Sequence, residues 1–115
     1  MPEFISENKK YYTPVEYVFS QIGGTYKMPI LWRVKDKPWR YSELKNSISN
    51  ISDRMLSKNL KELCADDFIL KTIIPEVPVK VEYSITEKGK EAIPIISLLR
   101  DYGFRLMEID GIKRK

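Results

Sequence analysis

The sequence predicts a mainly α-helical chain carrying one small β-hairpin, an α+β fold, and two stretches carry that prediction. A capped helix rich in basic residues, Ser52 to Ala65, runs straight into a two-strand ribbon, Ile69 to Ile85. Thr86 then opens a long, unusually apolar helix reaching about Ile109. A helix followed by a basic hairpin is the order of parts in a winged helix-turn-helix, in which the helix enters the DNA major groove and the hairpin tip reaches the neighbouring backbone. The helices flanking that unit are expected to join two copies of the chain.

A length of 115 residues fits one domain, assigned to residues 12–110, with a polar N-terminal tail over 1–11 and a basic C-terminal tail over 111–115. The longest apolar run, Met28 to Trp32, is far short of the roughly 20 residues that span a bilayer, so no membrane segment is expected. The first ten residues lack an apolar signal core, which predicts a cytoplasmic protein. With no histidine and a single cysteine, Cys64, the chain cannot build a Cys/His zinc site, a Ser-His-Asp triad or a Cys-His dyad. Asp66 and Asp67 adjoin a helix end, and Glu87 and Glu91 lie one turn apart on a surface helix, patterns that solvated charge explains. No catalytic residue, metal or cofactor is therefore expected. The net charge of +4 suits a polyanionic partner but does not by itself identify one.

In chain order, Thr13-Pro14-Val15-Glu16 combines an N-cap hydroxyl, a proline at the first helical position and a glutamate at the third, a capping box that starts a helix. Val15, Val18, Phe19 and Ile22 are spaced for one apolar face, and Gly23-Gly24 ends the helix. Pro29 is comfortable only in a first helical turn, so the next helix begins near Thr25 or Tyr26 and runs to Val34, with Ile30, Leu31 and Val34 in the core. Asp36-Lys37-Pro38 is a turn, Trp39 to Tyr41 a brief strand, and Ser42 the expected cap of a short helix burying Leu44 and Ile48. Ser49-Asn50-Ile51 connects to the basic helix, which Ser52 caps while Ile51 staples onto Leu56.

On that basic helix Leu56, Leu60 and Leu63 share the core face, with Asn59 and Cys64 beside it, while Arg54, Lys58 and Lys61 project oppositely. A solvated stripe is the bland reading of such a face. Its position between a turn and a hairpin favours DNA contact instead. Arg54 and Ser57, near the N-terminal end, are placed to meet base edges, and Lys58 and Lys61 to meet phosphates. Arg40, Ser42 and Ser52 complete the expected DNA-binding set on the helix-turn-helix. In the ribbon Val81, Tyr83 and Ile85 alternate with Glu82 and Ser84, Pro75-Glu76-Val77-Pro78 makes a stiff tip, and Lys80 is expected to reach a phosphate, with Glu76 on the outer side. Along the last helix Ile95, Leu99, Tyr102 and Leu106 belong to an apolar surplus too wide for one stripe. With Val15 they form the expected homodimer interface. Pro94 should bend this helix or weaken one hydrogen bond.

Thr13-Pro14-Val15-Glu16-Tyr17, Ile22-Gly23-Gly24-Thr25-Tyr26-Lys27, Ile30-Leu31-Trp32, Arg40-Tyr41-Ser42-Glu43-Leu44 and Ile51-Ser52-Asp53-Arg54-Met55-Leu56 follow one another at a spacing that, continued by Leu60-Lys61-Glu62-Leu63, Pro75 to Tyr83 and Thr86-Glu87-Lys88-Gly89, closely resembles the HxlR-type winged helix regulators, bacterial relatives of the MarR group. The similarity spans about Tyr12 to Met107. It implies a homodimer that binds a double-stranded DNA operator and activates or represses nearby genes without enzymatic activity. Two departures stand out. Many members carry cysteine before Pro-Val-Glu, a thiol that in some senses oxidants or electrophiles, where this chain has Thr13. The family also favours glycine where this chain has Asp67, a residue that accepts a left-handed conformation less readily. Cys64 is read as a small residue beside the apolar face rather than a redox sensor.

Two other function classes fit the same features. A winged helix can be a protein-interaction module whose Arg54, Lys58 and Lys61 bind an acidic partner. A small-molecule-binding protein would use the apolar space between the dimer helices together with the aromatic residues Tyr17, Phe19, Trp32 and Tyr102, an arrangement that could also serve an effector in a dimeric regulator.

Overall fold

Tyr11 is buried in the computed structural model of the chain, which describes residues 3–114. Within the polar tail expected over residues 1–11, of which the first two lie outside the described residues, β1 (Phe4–Ser6) pairs antiparallel with β2 (Lys9–Tyr11) as a hairpin. Glu7 and Asn8 both take positive φ, 49° and 65°, as a tight primed hairpin turn requires. The Phe4 and Tyr11 rings stack at 5.2 Å, and Tyr17 meets them edge-on at 5.5 and 5.0 Å. These aromatic contacts dock the hairpin on the following helix, and the flanking charges of Glu7, Lys9 and Lys10 hide that signal in the sequence.

Helix α1 (Pro14–Ile22) starts at the expected cap: Thr13 Oγ1 accepts from the Glu16 amide at 3.0 Å, while the Glu16 carboxylate reaches one residue past the Thr13 amide and accepts from the Tyr12 amide at 3.1 Å. Of this apolar face only Ile22 is buried, while Val15, Val18 and Phe19 face outward. Helix α2 (Lys27–Val34) places Pro29 in its first turn and buries Ile30, Leu31 and Val34. Strand β3 (Trp39–Arg40) leads directly into α3 (Tyr41–Ser47). Arg40, not Ser42, is the N-cap there, and its amide donates to the Glu43 carboxylate at 2.8 Å, which fixes the helix start two residues earlier than a serine cap would.

Helix α4 (Asp53–Ala65) is capped by Ser52, whose hydroxyl accepts from the Met55 amide at 3.1 Å. Ile51 and Leu56 are both buried, as the staple requires. The helix ends through Asp67, which takes φ 63°, so that the Phe68 amide reaches the Leu63 carbonyl at 2.9 Å. Strands β4 (Ile69–Ile74) and β5 (Lys80–Ile85) form the ribbon, and β3 adds to its other edge in the antiparallel order β3-β5-β4. Trp39, Tyr83 and Lys71 stand in one cross-strand row.

Helix α5 (Glu87–Ile109) is capped by Thr86 and continues through Pro94. Its buried side is narrow, consisting of Gly89, Ala92 and Ile96. Those residues close a single core with α2, α3, α4 and the sheet, centred on Leu31, Leu44, Leu56, Leu60 and Leu63. The C-terminal segment is not wholly free of the fold, since the Arg114 guanidinium lies 3.6 Å from the Phe104 ring centroid; Lys115 lies outside the described residues. Among the described residues no helix is long and apolar enough to cross a membrane. Helix-turn-helix, sheet and wing follow in the order of a winged helix.

Candidate nucleic-acid interface

The three leucines that anchor α4 decide where its cations point. Because Leu56, Leu60 and Leu63 are buried, Arg54, Lys58 and Lys61 must lie on the opposite face, and all three are exposed. None of them forms an ion pair among the described residues, so their charge is available to an anionic partner. Ser52, at the cap, and Ser57, one turn further on, are exposed beside Arg54.

Two contacts invisible to pattern reading fix the orientation of this helix. Lys27, buried at the start of α2, reaches Glu62 of α4 with Nζ to Oε1 at 3.4 Å, tying together two of the sequence motifs. At the other end the Tyr41 hydroxyl donates to Asp53 Oδ1 at 2.8 Å and lies 3.4 Å from Ser57 Oγ. Burial raises the Tyr41 phenol above its ordinary pKa, the hydrogen bond with Ser57 lowers it in part, and Asp53 adds to the rise. Tyr41 therefore joins the first turns of α3 and α4 on the exposed side of the unit. Its place beside Ser42, in a run read only for helix initiation, gave no sign of that role.

The remaining expected contacts are gathered elsewhere. Arg40, Ser42 and Lys80 line a cleft of about 350 Å³ between the start of α3 and the hairpin tip, together with Glu76 and Pro78. Glu76 thus shares the cleft with Lys80 instead of standing apart from it. Lys80 is also engaged: its ammonium pairs with Glu82 at 3.5 Å, and both side chains are largely covered. The pairing follows from Lys80 and Glu82 standing two residues apart on the same strand face.

The expected apolar interface residues Val15, Ile95, Leu99, Tyr102 and Leu106 are all exposed. Val18, Phe19, Leu98 and Ile109 extend the same apolar surface of α1 and α5, with Leu98 exposed to 70%. Within the single chain the four aromatic residues do not share one cleft. Tyr17 lines a cleft between α1 and α5, Trp32 lines another between α2 and α5, and Phe19 and Tyr102 line neither.

Cys64, on the side of α4 that faces the sheet, is half-buried, and burial pushes its thiol above the ordinary pKa; the nearby Lys71 ammonium and backbone amide offset part of that rise. Tyr83 is raised as well, first by burial and then by the neighbouring Cys64 and Tyr41.

Residues 21–110 match the family model described as HxlR-like helix-turn-helix. An uncharacterised HTH-type transcriptional regulator of Methanothermobacter thermautotrophicus is 42% identical over 94 residues, covering 82% of this chain and 72% of that protein. YdzF, another such regulator from Bacillus subtilis, is 41% identical over 91 residues, covering 78% of this chain and 84% of its own length. Among solved structures, the redox regulator HypR in its reduced form superposes with a TM-score of 0.81 at 32% identity, covering 86% of this chain and 98% of that one. Sequence, family model and winged-helix architecture agree: the chain belongs to the HxlR-like helix-turn-helix family of transcriptional regulators.

Proposed function

We propose that the protein acts as a homodimer that binds a double-stranded operator, with α4 in the major groove and the β4–β5 wing along the adjacent backbone. The observation that carries this reading is the unpaired cationic face of Arg54, Lys58 and Lys61 on a helix held from behind by three buried leucines. Arg54 and Ser57 are the proposed base readers, Lys58 and Lys61 the phosphate contacts, with Ser52, Arg40 and Ser42 at the margins. Val15, Ile95, Leu99, Tyr102 and Leu106 form the proposed dimer surface, where burying their exposed area against a second copy would remove apolar surface from water. Redox control, for which HypR is named, is not carried over, because Thr13 stands where many members carry cysteine and the Cys64 thiol is raised by burial.

A mobility-shift titration with the intergenic region beside the gene tests the reading, with random duplex as competitor. Retention of the complex under a large excess of random duplex supports an operator; equal loss to both DNAs, or binding to an acidic protein instead, removes it.

A small-molecule effector has one observation in its favour. The cleft between α1 and α5, about 290 Å³, is lined by Tyr17, Val18, Ile22, Phe68, Ala92 and Ile95, with Lys88 and Glu91 at its edge. It lies next to the proposed dimer surface, so an occupant there could shift the spacing of the two recognition helices.

A further inference from the structure

The wing presents two faces of opposite character. Side chains alternate along a strand, and the β4–β5 register sets Lys71 opposite Tyr83 and Ile73 opposite Val81. Tyr83 is buried against the helical layer, so Lys71 shares the sheet face that looks toward α4, whereas Lys80 and Glu82 lie on the other face. Between that inner face and α4 runs a cleft of about 410 Å³, lined by Ser57, Leu60, Lys61 and Cys64 from the helix and by Lys71 and Tyr83 from the sheet.

Its charge is one-sided. Lys61 and Lys71 are both exposed, neither forms an ion pair among the described residues, and no aspartate or glutamate lines the cleft. Two ammonium groups facing one opening repel each other and leave a positive potential there, strongest for an anion that both can approach. Ser57 adds a neutral hydroxyl at the same wall. The outer cleft contrasts with it, since Glu76 lines it and Glu82 pairs with Lys80. Arg40 also lines the outer cleft, so a phosphodiester would meet partly compensated charge outside and uncompensated charge inside.

We propose that the inner cleft seats a backbone phosphate of duplex DNA between Lys61 and Lys71, so that Lys71, and not Lys80, is the lysine through which the wing holds the backbone. This rests on the operator-binding reading above and deepens it. The phosphate oxygens would accept from the Lys61 and Lys71 ammonium groups on either side and from the Ser57 hydroxyl at the wall. Such an arrangement also sets the docking angle, because it joins the recognition helix and the wing through one phosphate instead of two.

Fluorescence anisotropy titrations of the full-length protein with labelled operator and with random duplex, repeated across a range of salt concentrations, decide the matter. Lys71→Ala should weaken binding to both duplexes alike. Removing one lysine–phosphate pair should reduce the slope of log affinity against log salt by about 0.9, or about 1.8 for a dimer in which both copies are changed, equivalent to about 60-fold weaker binding near 0.1 M salt. Lys71→Arg should retain the slope, which separates charge from a folding defect, and Lys80→Ala should leave it unchanged. If the wild-type protein binds DNA and Lys71→Ala keeps its salt slope, or if Lys80→Ala is the variant that reduces it, the inner cleft holds no phosphate. Failure of the wild-type protein to bind any duplex would instead remove the operator-binding reading, and the cleft's ligand with it.

Discussion

Tyr41 shows how one hydroxyl links two elements. Its bond to Asp53 Oδ1 holds the N-terminal end of α4 against α3, while the phenol itself is raised by burial. A phenol whose folded-state pKa lies above the unfolded value contributes stability that is present below pH about 10 and is lost as pH rises through the folded value. Stability should therefore fall above pH about 10 less steeply in Tyr41→Phe than in the wild-type protein, as urea unfolding midpoints measured at stepped pH would show; identical pH profiles would mean that the hydroxyl's environment does not change on folding. Arg54 belongs to the same scale. If it meets a base edge, Arg54→Ala should cost about 1 to 3 kcal/mol at the operator and much less on random DNA. Competition titrations read both affinities, and an equal loss on both would reassign Arg54 to the backbone. Gly89 shows a purely steric demand: a Cβ there would strike the Phe68 carbonyl and the Ile85 side chain, so the Thr86-Glu87-Lys88-Gly89 run reflects a close approach of α5 to the end of α4.

Helix α4 is positioned by its ends and by one ion pair. Ser52→Ala should cost about 1 kcal/mol by removing the cap to the Met55 amide. Asp67 carries the opposite lesson. With φ 63° it bears a conformational cost that glycine avoids, and Asp67→Gly should raise stability by about 1 kcal/mol, as a shift in denaturation midpoint at unchanged slope would report. A lower midpoint would show that the aspartate side chain contributes more than the backbone loses. The Lys27–Glu62 pair joins a buried ammonium to a partly exposed carboxylate. Removing the carboxylate leaves the lysine without its partner, and since solvent screens the exposed side the cost of Glu62→Ala should be about 1 to 2 kcal/mol.

At the scale of the molecule, the apolar face of α1 and α5 is left exposed by the single chain. Ile95, Leu99, Tyr102 and Leu106 recur at helical spacing along a stripe of α5 that adjoins the buried Ala92 and Ile96 but stays exposed, leaving it open to a second copy. Sedimentation at micromolar concentration should give the mass of two chains. An aspartate in place of Leu99 or Leu106 should yield folded monomers, because each residue is exposed in the single chain and becomes costly to charge only when a partner covers it. A wild-type monomer that binds operator tightly would show that this face serves some other contact.

The sequence by itself determined the elements whose signals are local. Thr13, Ser52 and Thr86 each place a hydroxyl where a helix must begin, Gly23-Gly24 ends α1, and the alternation of Val81, Tyr83 and Ile85 marks a half-buried strand. It also separated the faces of α4, because leucines at helical spacing leave the cations only one side to occupy. Tertiary structure decided what depends on neighbours distant in the chain. The N-terminal hairpin forms because Phe4 and Tyr11 find Tyr17, and Val15, Val18 and Phe19 stay exposed because the core is closed by α2, α3, α4 and the sheet without them. The pairing of Lys80 with Glu82 needs only the alternation of one strand, but the meeting of Lys61 with Lys71 at one cleft required the sheet register and its packing on α4. A lysine's availability to an anion is set by the carboxylates the fold brings beside it, and a one-dimensional reading counts charges without knowing which of them meet.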